Sequence, residues 1–351
     1  MDLSPASPHR PETGSLANRR QFLANLSPRG ACVAERGEAY GDWIRVHRRA
    51  MACRFEVVLA SVDGVFVLSA MSALDEIDRV ERELSVFIAD SAISDVNRDA
   101  AARAVPVPPH VAELLLDCQR VHRDTDGVFD LTTTPLSRCW GFLQREARVP
   151  HITAIEDARV KVGFDAVHVS ANPPAVTFNR PGIEVSLGAV GKGHALDRAA
   201  TKLRASGVQH ALLSAGGSSL FGLGGRGDGW MIDIVSPFRA GQPLATVLLR
   251  NAALGTSGAG QQFVVQDGRR YGHVIDPRTG WPADGILSAS VVASDAATAD
   301  ALSTAFLVGG VELARRYCSG HADVLALITP DDGSRRTVVL GSHRTARLVG
   351  A

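Results

Sequence analysis

The residues best able to do chemistry in this sequence stand in one short run, ADALST, at positions 299–304. Asp300, Ser303 and Thr304 fall at i, i+3 and i+4, so on a helix the three side chains share one face. A carboxylate and two hydroxyls are hard oxygen ligands of the kind that Mg²⁺ prefers, together with substrate phosphates. The same pattern also fits a helix N-terminus capped by its own aspartate. The spacing leaves the metal site and the cap equally open.

A second candidate is His273, the first residue of the run HVIDPRTG at 273–280. Histidine is the side chain that accepts a proton near neutral pH without a large pKa shift. The chain has 11 histidines among 351 residues, and few of them can be catalytic bases. Taken alone, this position therefore favours a structural histidine hydrogen-bonded to a turn.

A glycine-rich run, SLGAVGKGHALD at 186–197, is typical of a turn that leads into a helix. Such a turn can hold a phosphate through free N–H groups and the helix dipole. The run is shorter than the NTPase phosphate-binding loop, and Gly193 stands where that loop has its metal-holding Ser or Thr. The pattern excludes an NTPase and keeps a phosphate site open.

A second glycine-rich run, GLGGRG at 222–227, spells the dinucleotide-binding pattern letter for letter. That pattern must open a helix, whereas here the strand-like WMIDIV follows at 230–235. Asp228 and Gly229 form a pair typical of hairpins. We expect a turn between two strands at this place and no dinucleotide site.

The elements that must position these residues follow from the hydrophobic pattern. Apolar residues at helical spacing predict helices over 70–84, from Pro109 to about Val121, from 191 to 203 and over 298–308. Short apolar runs predict strands at 54–60, 175–178, 183–186, 211–214, 230–235, 245–249, 263–265, 290–293, 324–328 and 337–340. The strands cluster in pairs between few helices, which predicts an α+β fold with mostly antiparallel sheets.

The composition sets outer limits on function. With 45% hydrophobic and 21% charged residues the chain can bury a large core, as one α/β unit or two intimate subdomains. Lys+Arg and Asp+Glu both number 37, so no basic excess favours nucleic acid as a partner. No run reaches the roughly 18 apolar residues of a transmembrane segment. Five scattered cysteines without a C-x-x-C pair indicate neither a disulfide framework nor structural zinc.

Residues 1–45 lack helical or strand periodicity, and we expect them to form a flexible N-terminal arm before a folded domain at 46–345. The run NRRQFL at 18–23 is similar to the start of a twin-arginine export signal. The apolar stretch of roughly 7–15 residues that such a signal requires does not follow, and no lipid-attachment cysteine stands behind an apolar run. The sequence favours a cytoplasmic location and leaves export to the periplasm open.

Four runs in register resemble the ApbE-type FAD:protein FMN transferases. The first is GVFDLTTTPLSRCWGF at 127–142, and the others are the run at 186–197, GTSG at 255–258 with HVIDPRTG, and ADALST. The family patterns are G-A-F-D-x-T-x-x-P-L…W-G-F, D-L-G-G/A-x-A-K-G-x-x-x-D, T-S-G…H-I-I-D-P-x-T-G-x-P and A-D-A-L-x-T. The match extends from about Met51 to about Gly310. It implies an ApbE-like (T-fold-like) architecture of mostly antiparallel sheets flanked by helices.

The resemblance also implies an activity and roles for individual residues. The enzyme would split FAD, with Mg²⁺ as cofactor, transfer FMN through a phosphoester to a Thr or Ser hydroxyl of a target flavoprotein, and release AMP. Its acceptor would carry a short Ser/Thr flavinylation motif. By family position, Asp300, Ser303 and Thr304 would hold the metal with the backbone oxygen of Ala189, and His273 would accept the hydroxyl proton. Matching positions give the flavin nucleotide site as Met51, Phe87, Val128, Phe129, Asp130, Ser186, Lys192 and Ile275.

The chain departs from the family patterns at several of these positions. Ser186 replaces the usual Asp, Ser218 and Ser219 stand where an acidic residue is common, Cys53 replaces a Thr, and Phe87 stands where Tyr is frequent. Fewer carboxylates predict weaker Mg²⁺ binding or altered nucleotide recognition. Two alternatives to the transferase therefore stay open, an FAD diphosphatase that releases FMN and AMP, and a flavin-binding protein with reduced catalysis.

Overall fold

The structure, a computed structural model, describes residues 43–349 except Arg226, Ala240, Ala259 and Gln261. Residues 1–42, with the export-like run at 18–23, lie outside that part, so the flexible arm and the location stay predictions. The first strand begins at Trp43, inside the predicted arm, and the last strand lies beyond the predicted domain end at 345.

The described part contains sixteen strands and seven α-helices. The strands are β1 Trp43–Ala50, β2 Cys53–Ala60, β3 Val105–Pro106, β4 Val167–Ala171, β5 Pro174–Phe178, β6 Ala211–Ala215, β7 Ser219–Leu223, β8 Trp230–Val235, β9 Pro243–Leu249, β10 Ala252–Gly258, β11 Phe263–Gln266, β12 Arg269–Gly272, β13 Ile286–Ala293, β14 Val324–Pro330, β15 Val338–Ser342 and β16 Ala346–Leu348. The helices are α1 Val67–Leu84, α2 Ala92–Asp99, α3 Pro109–Asp124, α4 Thr134–Cys139, α5 Ile152–Arg159, α6 Gly191–Ala205 and α7 Ala296–Gly320.

An eight-stranded sheet in the order β1-β2-β6-β7-β10-β13-β14-β15 forms the centre of the fold. All of its neighbouring pairs are antiparallel. Helices α1, α6 and α7 pack side by side over one face and enclose the larger core. The three-stranded sheet β16-β9-β8 covers a second core on the other face. The prediction of an α+β fold with mostly antiparallel sheets is confirmed.

The predicted helices are all present, because their apolar stripes face the sheet. Ala70, Leu74, Ile77, Val80 and Leu84 of α1 are buried. Helix α7 is longer than predicted and continues past a break at Gly310, whose φ of 73° lies in the left-handed region. By length and composition α7 could cross a membrane, but more than half of its most apolar stretch is buried in the protein. It therefore packs as a core helix.

Two sequence predictions about strands are wrong. The segment 183–186 is not a strand, because its main chain bonds to a side chain and a loop. The Val185 N–H donates to Asn97 Oδ1 at 2.7 Å, and the Ser186 N–H donates to the Leu131 carbonyl at 2.9 Å. The turn at 222–229 is not a hairpin either, since β7 pairs with β6 and β10 while β8 pairs with β9 in a different sheet. No helix follows it, as expected.

Candidate active site

Asp300 lies in the second turn of α7, buried against the start of α6. Its Oδ2 accepts a hydrogen bond from the Gly193 N–H at 2.8 Å, and its Oδ1 accepts one from the Ser219 hydroxyl at 2.7 Å. The N-terminus of α7 is capped instead by Asp295, whose carboxylate accepts the Thr298 N–H at 2.7 Å. The interpretation of Asp300 as the cap of its own helix is therefore wrong. Its carboxylate serves the first turn of a different helix.

Two glycines let the main chains around Asp300 approach closely. A Cβ on Gly193 would lie 2.1 Å from the Ala296 carbonyl oxygen, and one on Gly255 would lie 2.6 Å from the Ala299 carbonyl group. Any side chain at either position would force α7 away from α6 or from β10. The glycines therefore hold Asp300 at the junction of α6, α7 and the large sheet.

Three hydroxyls stand beside Asp300 on the same face of α7. The Ser257 hydroxyl of β10 lies 2.8 Å from the Ser303 hydroxyl and 3.3 Å from that of Thr304. Ser303 also donates to the Asp300 carbonyl at 3.0 Å. The predicted shared face of Asp300, Ser303 and Thr304 is present. Ser257 and Ser219 add to it. Ser257 belongs to the GTSG run, and Ser219 stands where the family commonly has an acidic residue.

Lys192 is the positively charged side chain that acts on Asp300 in this cluster. Its Nζ donates to the Ser218 hydroxyl at 2.6 Å. Burial raises the pKa of Asp300, while the charge of Lys192 and the bonds from Ser219 and Gly193 lower it. A bound cation would act in the same direction as Lys192 and stabilise the ionised carboxylate.

The donor set fits magnesium. One carboxylate and neighbouring hydroxyls are the hard oxygens that Mg²⁺ takes with substrate phosphates and water. Ala189, whose main-chain oxygen is the remaining predicted ligand, stands two residues before α6 begins. No group of three or more His, Cys, Asp or Glu side chains suited to a metal occurs in the part of the chain that the structure describes. The arrangement is therefore unlike a zinc site.

His273 directly follows β12, and its N–H donates to the Gln262 carbonyl at 3.0 Å. Its ring lies edge-on to Phe142 at 6.4 Å between centroids, and its buried Nδ1 makes no hydrogen bond with the described residues. The following turn is closed by Asp276 and not by the ring. The interpretation as a structural histidine bonded to that turn is wrong.

The surroundings of His273 keep the ring neutral. Burial lowers its pKa from the ordinary value of 6.5, the Gln262 carbonyl opposes this, and the charge of Lys192 lowers the pKa further. Near neutral pH the ring is therefore unprotonated and able to accept a proton. The charge of Lys192 thus lowers the pKa of both Asp300 and His273.

A cleft of about 650 Å³ has Phe87, one of the predicted nucleotide residues, in its lining. Leu143, which follows the Phe142 beside His273, lines one part of it, and Glu184, two residues before Ser186, lines another. Phe87 is 75% exposed at its surface. The Thr134 hydroxyl in the cleft lining is buried without a hydrogen-bond partner among the described residues. The cleft thus offers an exposed aromatic ring to a ligand.

Other predicted nucleotide residues lie behind the surface of the site. The side chains of Val128, Phe129 and Ile275 are buried in hydrophobic cores. The Asp130 carboxylate accepts bonds from the Thr132 N–H at 2.6 Å and the Phe164 N–H at 3.0 Å. All four side chains are thus engaged by contacts within the protein.

Met51, Cys53 and Ser186 are the remaining residues that the comparison with the family pattern singles out. Met51 lies in the turn between β1 and β2, where its N–H donates to Glu81 Oε1 at 2.7 Å. Cys53 stands next to this turn, and burial raises the pKa of its thiol to about 11 in spite of the opposing charge of Lys192. Ser186 is half-buried, and its hydroxyl accepts the Gly188 N–H at 3.4 Å.

Comparisons with known proteins match most of the chain. The sequence model of the ApbE family matches residues 51–328. The "FAD:protein FMN transferase" of Salmonella typhimurium is 30% identical over 275 residues, 76% of this chain and 79% of the relative. That of Escherichia coli K12 is 29% identical over 269 residues, 75% of this chain and 77% of the relative.

Solved structures show the same fold. The ApbE protein of Thermotoga maritima superposes with a TM-score of 0.76 at 28% identity, over 86% of this chain and 97% of that one. The flavin transferase ApbE of Vibrio cholerae gives 0.74 at 25% identity, over 85% and 97%. The similarity spans both cores of the fold and all four sequence runs.

Proposed function

The chain belongs to the ApbE family of FAD:protein FMN transferases, and we propose that it moves FMN from FAD to a Thr or Ser hydroxyl of a target flavoprotein, with Mg²⁺, and releases AMP. One observation carries the proposal: the buried Asp300 carboxylate accepts the Gly193 N–H at 2.8 Å, directly beside Lys192, and shares a face of α7 with Ser303 and Thr304. The neutral His273 is proposed as the base of this site. Phosphoryl transfer needs this combination of charge neutralisation and a base for the incoming hydroxyl.

The reaction assigns a task to each group of the chain. The acceptor hydroxyl gives its proton to the His273 ring, and its oxygen attacks the phosphorus of the FMN half. The bond between the two phosphates breaks, and AMP leaves with the bridging oxygen. Lys192 and the positive end of the α6 dipole would stabilise the negative charge that moves to the leaving phosphate.

Asp300, Ser303, Thr304 and the Ala189 carbonyl would hold the magnesium. When bound, Mg²⁺ neutralises charge on the diphosphate and favours departure of AMP. The replacement of Asp by Ser186 leaves Asp300 as the one carboxylate among these proposed ligands. We therefore expect Mg²⁺ affinity to be weaker than in a site with two carboxylates, with the ligand face on α7 retained.

The nucleotide would occupy the cleft that Phe87 lines. The exposed ring of Phe87 offers a stacking surface. Buried Val128, Phe129 and Ile275 would contact the nucleotide through the main chain only.

The test is to incubate the purified protein with FAD and Mg²⁺, with and without an acceptor protein of the Escherichia coli relative, and to measure AMP, free FMN and acceptor-bound FMN. The proposal expects AMP and acceptor-bound FMN in equal amounts, and neither in EDTA. AMP with free FMN alone would indicate the diphosphatase. FAD binding without either product would indicate a flavin-binding protein.

A further inference from the structure

The hairpin formed by β11 and β12 stands apart from the larger sheets. Its two-residue turn has Asp267 and Gly268 at φ of 52° and 76°, which is the geometry of a tight hairpin turn. One face packs inward, with Tyr271 at 5.5 Å from Trp140 and 6.1 Å from Trp281 between ring centroids. The inward face accounts for the hairpin's attachment to the fold.

The other face is apolar and open to solvent. Phe263 is 39% exposed and Val265 is 58% exposed. Both are on β11 and point to the same side, because side chains alternate along a strand. The guanidinium of Arg270 lies 4.2 Å from the centre of the Phe263 ring. The hairpin thus presents two apolar side chains and one cation together.

Residues 274–276, which continue β12, pair on their outer side with residues 281–283, whereas β12 itself has an open outer edge in the part of the chain that the structure describes. The hairpin forms a two-stranded sheet by itself, so β12 has one strand neighbour among the described residues. Gln266 and Arg269 flank the turn, so Val265 and Arg270 form a pair without mutual backbone hydrogen bonds. The N–H and C=O of Arg270 therefore point outward, away from β11. Such an edge is the template for an added strand.

The hairpin is continuous with the proposed reaction centre. Gly272 ends β12 and His273 follows it directly. Gln262, the residue before β11, accepts the His273 N–H. The position of the candidate base is thus fixed by the two ends of the hairpin. The edge of β12 therefore leads along the main chain directly to His273.

We propose that an extended segment of the acceptor flavoprotein docks on the edge of β12 as a third strand and so delivers its Ser or Thr hydroxyl to His273. The segment would place an apolar side chain on Phe263 and Val265 and an acidic one near Arg270. This use of a strand edge gives affinity through the main chain and selectivity through alternate side chains. The proposal rests on the proposed transferase function and names the surface that selects its protein substrate.

The experiment measures transfer of FMN from FAD to an acceptor protein of the Escherichia coli relative, with Val265→Ser, Arg270→Glu and Arg270→Pro. Arg270→Pro removes an outward N–H that the hairpin itself does not use. Each variant should raise the acceptor KM by about tenfold or more, equal to roughly 1.4 kcal/mol of binding. The FAD KM and kcat at saturating acceptor should stay within about twofold, well below that tenfold loss.

Val339→Ser is the matched control, because Val339 is 47% exposed on the edge strand β15. Its acceptor KM should equal that of the wild type. Transfer by the wild type with unchanged acceptor KM in all three hairpin variants would overturn the docking proposal and leave the transferase standing. Absence of acceptor-bound FMN with the wild type would refute the proposed function, and the docking surface with it.

Discussion

At the scale of single residues, His273 is neutral because of where it lies. Its ring is packed beside Phe142 and faces the field of Lys192, and both burial and that charge disfavour the protonated form. A neutral ring is what a general base needs before it meets its substrate. In the proposed transferase reaction, His273 therefore accepts the proton of the acceptor hydroxyl and does not contribute to FAD binding.

His273→Ala should reduce FMN transfer by about 10²–10⁴-fold, the range for loss of a general base. FAD affinity should stay the same, because the cleft that would hold the nucleotide is lined by other residues. Single-turnover transfer and FAD titration by fluorescence measure the two effects. Phe142→Leu is a useful companion, since it loosens the ring but keeps the base. Transfer at the wild-type rate by His273→Ala would remove this residue from the mechanism.

The pH dependence follows from the lowered pKa of His273. A base is active when unprotonated, so kcat/KM should rise as pH increases through the pKa of His273 and level off above it. Since that pKa lies below 6.5, the acid limb should be centred below 6.5, with a plateau around pH 7. Lys192→Met should shift the ring's NMR titration to higher pH, because it removes a nearby positive charge.

Lys202→Met, near the far end of α6, is the control for that titration and should leave it in place. A wild-type titration at or above 6.5, or one that does not respond to Lys192→Met, would contradict the electrostatic account of His273.

For Asp300, the prediction concerns metal affinity. Asp300→Asn keeps the shape of the side chain and removes its charge. Loss of a residue that only orients a metal ligand typically weakens metal binding by about 10–100-fold. Because Asp300 is proposed as a ligand itself, the Mg²⁺ concentration for half-maximal transfer should rise by more than that. Thermal unfolding in EDTA should change little, since burial already disfavours the ionised carboxylate. Asp295→Asn, on the same helix, retains the cap and should leave the Mg²⁺ titration unchanged. Equal titrations for Asp300→Asn and wild type would exclude Asp300 as a ligand.

At the scale of elements, the site depends on how closely α6 and α7 approach. Gly193→Ala would place a methyl group 2.1 Å from the Ala296 carbonyl oxygen. The helices would have to separate, and we expect a loss of about 1–3 kcal/mol in the free energy of unfolding, as for other overpacked sites. Urea denaturation measures it. Mg²⁺ affinity should fall as well, because Asp300 moves with α7.

Gly191→Ala is the control on the same helix, since nothing lies within 4 Å of a Cβ there. Alanine is the better helix former, so this variant should be as stable as the wild type or slightly more stable. Equal stability of Gly193→Ala and Gly191→Ala would show that the close helix contact does not constrain the site.

The elements also show how far the sequence could be interpreted. Helices α1, α3 and α6 were predictable because their apolar residues repeat at helical spacing and face one core. The structure of segment 183–186 was not predictable from the sequence. An apolar run has the same pattern whether its main chain pairs with another strand or bonds to a side chain such as Asn97. The separation of β7 and β8 into two sheets was not predictable either, since residues typical of a turn do not determine which strands pair.

At the scale of the whole molecule, the site is assembled from distant parts of the chain. Gly193 and Asp300, which bond to each other, are 107 positions apart, and Ser219 and Asp300 are 81 apart. The motif runs predicted His273, Lys192 and the α7 ligand face as separate candidates. The bonds that join Asp300 of α7 to Gly193 of α6 and to Ser219 of β7 come from the packing of helices on the sheet. Spacing in the sequence carries no information on that packing.

The most direct measurement is the intact mass of an acceptor protein after incubation with this enzyme, FAD and Mg²⁺. We expect the mass of the acceptor to increase by that of one FMN, less the water lost in forming the phosphoester on one Thr or Ser. The increase should be absent in EDTA and strongly slowed with His273→Ala. Hydrolysis of FAD to AMP and FMN with the acceptor mass unchanged would contradict the proposal that this enzyme transfers FMN to a protein.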